Sequence, residues 1–85
     1  MSTRELVDRY IRNVEHALGQ IKAGGDVEGE KVREVIRLAE CYLDDAVRFL
    51  REGKTRTSLI AISYSEGLLD ALRILGLVKF EWLAR

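Results

Sequence analysis

Three apolar stripes at helical spacing, parted by glycine turns and free of proline, leave this chain little choice of fold. The first stripe is Val7, Ile11, Val14, Leu18 and Ile21, widened by Leu6 and Tyr10. Steps of three and four residues put these side chains on one helical face and leave Arg9, Arg12, Glu15 and His16 toward water. Ser2 followed by Glu5 has the form of a capping box, and Gly24-Gly25 closes the helix. The spacing therefore predicts a helix over about 3–23.

The second stripe is Val32, Ile36, Ala39, Leu43, Ala46 and Leu50, broadened by Val35, Leu38, Tyr42 and Phe49. Acids at Asp26, Glu28 and Glu30 suit the positive end of a helix dipole, and Arg48 and Arg51 suit the other end. This predicts a helix over about 28–52, with Gly53 as its stop. An apolar face that wide can touch two neighbours, so helix 2 is expected in the middle of the fold. The third helix is expected over about 55–75, capped by Thr55 or Thr57 and closed by Gly76. Its inward face is read as Ala61, Ser65, Leu68, Leu72 and Leu75, flanked by Tyr64, Ala71 and Leu69, with the Ser65 hydroxyl returning to the Ala61 carbonyl one turn back.

Short connections pack successive helices antiparallel. The expected architecture is all-α, an up-down-up three-helix bundle forming a single domain over 1–85, with a short tail at 77–85. Phe80, Trp82 and Leu83 in that tail either fold back over the open end of the bundle or dock a partner or a second copy.

Residues 42–77, YLDDAVRFLREGKTRTSLIAISYSEGLLDALRILGL, resemble the archaeal domain of unknown function 357 family. The resemblance is carried by Ala61-Ile62-Ser63-Tyr64, then Ser65, Glu66, Gly67, Leu68-Leu69 and Asp70-Ala71, and by the closing Leu75-Gly76-Leu77. Glu66 stands where a histidine is expected, and Leu68 where an aromatic residue is. The resemblance implies a small archaeal three-helix bundle accompanying nucleotidyltransferase-like domains in an accessory role, and it brings no catalytic residues.

Most readings of the residues as chemistry fail on spacing. Gly24 to Lys31, GGDVEGEK, echoes a phosphate-binding loop, but Gly29 is followed by Glu-Lys-Val instead of Gly-Lys-Ser/Thr. Cys41 has no histidine partner and lies opposite the apolar stripe of helix 2. Glu40, Asp44 and Asp45 diverge around the helix, so no compact oxygen cage for a metal is expected, and one His with one Cys cannot complete a zinc site. Arg9 and His16, two turns apart on one face, have the form of an arginine/histidine pair in a helical ribonuclease, the enzyme-class alternative.

Two surface features read as binding. Arg48, Arg51, Lys54 and Arg56 cluster around the turn between helices 2 and 3, a candidate anion or partner site and the basis of a nucleotide- or RNA-adjunct alternative. Ile60, Ser63, Gly67 and Ile74 form a strip on helix 3 in which small residues would let another backbone approach. With Phe80, Trp82 and Leu83 they make the candidate association surface. Fourteen basic residues balance fourteen acidic ones, which argues against a dedicated nucleic-acid binder. A single cysteine, no secretory signal and no apolar run longer than four residues point to a cytoplasmic protein away from membranes. The expected role is a non-catalytic interaction or accessory module that needs no cofactor and binds another protein or a second copy of itself.

Overall fold

The Ser2 hydroxyl accepts a hydrogen bond from the Glu5 N–H at 3.1 Å and donates to the Glu5 carboxylate at 3.2 Å, starting α1 at Thr3–Ala23. The structure is a computed structural model that describes residues 1–83; the last two positions of the expected tail lie outside the described residues. The loop after α1 uses Gly25 and Gly29 at φ +93° and +95°, a left-handed region that only glycine enters without strain. α2 follows at Glu30–Arg51 and α3 at Thr55–Ile74.

The turn between α2 and α3 is a Schellman motif. Lys54 N–H reaches the Phe49 carbonyl at 2.9 Å and Gly53 N–H reaches that of Leu50 at 3.1 Å, with Gly53 at φ +77°. Gly76 repeats the device after α3, where Leu77 N–H bonds the Leu72 carbonyl and Gly76 N–H that of Arg73, both at 3.0 Å. The first motif runs straight into α3, so Lys54 occupies the N-cap position and no side chain caps the helix. Thr55, expected as a possible cap, is already helical, and so is Thr57.

The core is built on the predicted faces of α1 and α2. Val7, Ile11, Val14, Ala17, Leu18 and Ile21 meet Ile36, Ala39, Leu43, Ala46 and Leu50. α2 and α3 run antiparallel and are joined by two hydroxyls. Ser58 Oγ donates to the Ala46 carbonyl at 2.6 Å, and Ser65 Oγ donates to that of Ala39 at 2.7 Å. Both serines and both alanines are fully buried. The alanines leave room for the second helix to come within reach of a side chain as short as serine. Ser65 therefore bonds across the interface and not back to Ala61.

That seam also rotates α3 away from the expected face. Ser58, Ala61, Ile62, Ser65, Leu69 and Leu72 point inward, while Leu75, expected inside, is 70% exposed, and Tyr64 and Ala71, expected on the flanks of the inner face, are exposed as well. α3, not α2, takes the central place: it packs most extensively on α2 and next on α1, and the α1–α2 contact is the slightest. α1 and α2 are joined at their flanks by Lys22 to Glu40 at 3.2 Å and by Arg4 to the Leu50 carbonyl at 3.2 Å. Between them lies an open cleft lined by Glu15, Leu43, Asp44, Val47, Arg48 and Arg51.

After Gly76 the chain turns back as an extended segment in which Val78 and Phe80 are buried while Leu77, Lys79 and Glu81 face outward. Phe80 joins the core and meets Trp82 edge-on, ring centroids 4.7 Å apart. Trp82 Nε1 donates to Asp70 Oδ1 at 2.9 Å. Along α1 the segment is held by the only Gln and the only Asn of the sequence. Gln20 Nε2 donates to the Glu81 carbonyl at 2.7 Å, and Gln20 Oε1 accepts from the Glu81 N–H at 3.0 Å. One amide side chain thus bonds both backbone groups of a residue, as a neighbouring strand would. Asn13 Oδ1 accepts the Leu83 N–H at 2.7 Å. Of the two fates open to the tail, folding back is the one observed.

Candidate functional site

The two surface features named from the sequence look different once folded. Among the four cations near the α2–α3 turn, Arg48 pairs with Asp45 at 3.3 Å and Glu52 at 3.6 Å, and its guanidinium lies 4.4 Å from the Phe49 ring centroid. Lys54 pairs with Glu52 at 3.1 Å and also leans over Phe49, at 5.9 Å. Glu52 thus draws two of the four cations to itself. Arg51 and Arg56 are exposed and form no ion pair among the described residues. The cluster is real in sequence but partly neutralised in space: Arg48 and Arg51 line the open α1–α2 cleft beside Glu15, Asp44 and Glu52, and neither Lys54 nor Arg56 lines it.

The strip on α3 fares differently. Ile60 and Ile74 are each 71% exposed, Ser63, Gly67 and Ala71 lie open between them, and Tyr64 is 52% exposed beside them. Positions 60, 64, 67, 71 and 74 follow alternating steps of four and three, so they form one continuous line along the outside of the helix. No charged side chain interrupts it. Glu66, Asp70 and Arg73 sit on another flank of α3, where Arg73 reaches Asp70 at 3.0 Å. The apolar surface continues onto α2 through Tyr42, whose ring centroid lies 4.5 Å from that of Tyr64, and past it to the exposed Leu38.

This surface arises because α3 is apolar on nearly all sides. Its inner face serves α2 and α1, and its outer face is left over. Contiguous apolar surface on a small protein commonly marks a contact with another molecule. Gly67 fits that picture: its φ is not positive, and a Cβ built there would meet nothing within 4 Å. Nothing inside one chain requires glycine at this position.

The tail residues grouped with this strip do not belong to it. Phe80 is 7% exposed and Trp82 is half-buried, both held by the fold itself. Leu83 is 43% exposed, but its N–H is bonded to Asn13. Phe80 and Trp82 are removed from the association surface because burying their rings completes the core between α1 and α3. Sequence reasoning missed Asn13 and Gln20. The signal was their rarity, together with the place of Asn13 beside Val14 on an apolar stripe.

Arg9 and His16 are exposed on α1, where the Arg9 guanidinium comes within 3.7 Å of Met1 Sδ. Cys41 is exposed and unpaired by a disulfide. Among the described residues no group of three or more His, Cys, Asp or Glu could hold a metal ion, and no helix is long and apolar enough to cross a membrane. The family model described as protein of unknown function (DUF357) matches residues 9–78, which takes in the larger part of α1, from Arg9 on, as well as the more recognisable α2–α3 hairpin. A comparison with curated proteins finds no match.

Proposed function

Because the chain belongs to the DUF357 family, whose function is unknown, we propose a role read from its own surface: a non-catalytic interaction module that docks another protein chain on the outer face of α3. The observation that carries this reading is the uncharged stripe from Ile60 to Ile74, exposed over the length of the helix. Several features support a non-catalytic role. Arg9 and His16 stand exposed on the surface of α1, and the fully buried positions of α3 hold no acid, base or nucleophile beyond two serines already bonded to backbone carbonyls. A cytoplasmic setting accords with the single cysteine, left as an exposed thiol.

The test compares three forms of the protein as bait in a lysate of the source organism: the unaltered chain, Ile60→Glu/Ile74→Glu, and Arg51→Glu/Lys54→Glu. The reading expects a bound chain that the first pair of substitutions abolishes and the second retains. The opposite pattern would move the docking site to the cationic corner and overturn it.

A further inference from the structure

We infer that the chain covering this face is a second copy of the protein, its α3 lying antiparallel to the first across a two-fold axis at Gly67; the inference rests on the docking face proposed above. The stripe is arranged symmetrically about that glycine. Ile60 and Ile74 lie seven residues to either side and are equally exposed, at 71% each. Ser63 and Ala71 lie four residues to either side, both exposed. Antiparallel pairing places each Ile60 against the other copy's Ile74, each Ser63 against Ala71, and the two Gly67 positions at the crossing point.

An isologous contact demands a patch complementary to itself, and this one meets that demand in three respects. Large side chains sit at the ends, where helices crossing at an angle diverge, and small ones sit at the centre, where they come closest. Gly67 has no role within one chain, yet a glycine at the crossing lets two backbones approach. The stripe carries no charge, so the two-fold axis brings no like charges together. With Tyr64, Leu75 and Leu38 included, the exposed surface is at most on the order of 600 Å² per copy, which matches the lower end of stable interfaces, about 600 Å² per partner.

The test uses sedimentation equilibrium and cysteine cross-linking of the full chain, with Cys41→Ser as background because that thiol is exposed. The unaltered protein is expected to be a dimer at about 100 µM, within the range such areas support. Ile60→Glu/Ile74→Glu is expected to weaken dimerisation by about a hundredfold or more, since both changes occur twice in a two-fold contact. Circular dichroism of that variant verifies the fold, which these exposed positions do not hold together. Ser63→Cys mixed with Ala71→Cys is expected to form a disulfide between the two chains under mild oxidation. Ser63→Cys alone is not, because its symmetry mate lies roughly 12 Å along the axis.

A monomer throughout the concentration range overturns the second copy as occupant but leaves the docking face to its own lysate test. A dimer indifferent to the glutamates overturns the second copy as occupant of this face and likewise leaves the face to the lysate test. Cross-linking of Ser63→Cys alone, without the mixed pair, overturns the antiparallel arrangement.

Discussion

Phe80→Ala tests whether residues 78–83 belong to the core or merely lie on it. Phe80 is 7% exposed, so nearly its whole ring is shielded from water. Removing roughly 200 Å² of aromatic surface at about 25 cal/mol per Å² bounds the loss at about 5 kcal/mol. Truncations of buried Phe to Ala cost about 3–5 kcal/mol. A domain of 85 residues is stable by only about 4–13 kcal/mol, so this one change removes a large share. At about 4–8 °C per kcal/mol for a domain of this size, the melting temperature is expected to fall by about 12 °C or more. The assay is thermal and urea unfolding followed by far-ultraviolet circular dichroism. Fluorescence of Trp82, the only tryptophan, reports separately on the segment. The two signals are expected to lose structure together, because ring and bundle share one core. A melting temperature within about 4 °C of the unaltered protein would refute the reasoning, as would a Trp82 transition well below the helical one.

The amide clamp separates side chain from backbone. Gln20→Ala is expected to cost about 1 kcal/mol in urea unfolding, whereas Glu81→Ala is expected to be nearly neutral, because only the backbone of Glu81 takes part. Ser65→Val places two methyl groups where α2 and α3 nearly touch and is expected to destabilise by about 1–3 kcal/mol; an unchanged urea midpoint would mean the seam is loose. Gly76→Ala forces an alanine to φ +75° and is expected to destabilise by more than about 1 kcal/mol. Gly67→Ala, in an open helical site, is expected to stabilise the monomer by about 1 kcal/mol while weakening the dimer, as calorimetry at low concentration and sedimentation would respectively show.

Where periodicity was clean, the sequence was legible. α1 and α2 each have one apolar face and one charged face, and the structure buries the expected faces. Glycines at 53 and 76 marked helix ends because a left-handed residue after a helix leaves few alternatives. α3 resisted the same treatment because its apolar residues nearly encircle it, so spacing alone could not say which arc turns inward. The two serine bonds to α2 decide that, and they depend on Ala39 and Ala46 in another helix. For the same reason the central place of α3 was not legible from the breadth of the α2 face. The candidate surface was half legible: Ile60, Ser63, Gly67 and Ile74 form a strip and stand exposed, whereas Phe80 and Trp82 are drawn into the fold by Asp70 and by the bonds that Gln20 and Asn13, far away in sequence, make to the neighbouring Glu81 and Leu83.

The clamp between α1 and the segment after α3 also orders events in time. Gln20 meets Glu81 across 61 positions and Asn13 meets Leu83 across 70, whereas Ser58 and Ala46 are only 12 apart. Closing the longer loops costs more chain entropy before any contact returns it. The α2–α3 hairpin can therefore assemble early, while α1 waits for residues that leave the ribosome some sixty positions later. In the finished molecule, under conditions far below the cooperative transition, the rare local openings are expected at these same contacts first, so amide protons of α1 and of Glu81 and Leu83 exchange with solvent ahead of those along the serine seam.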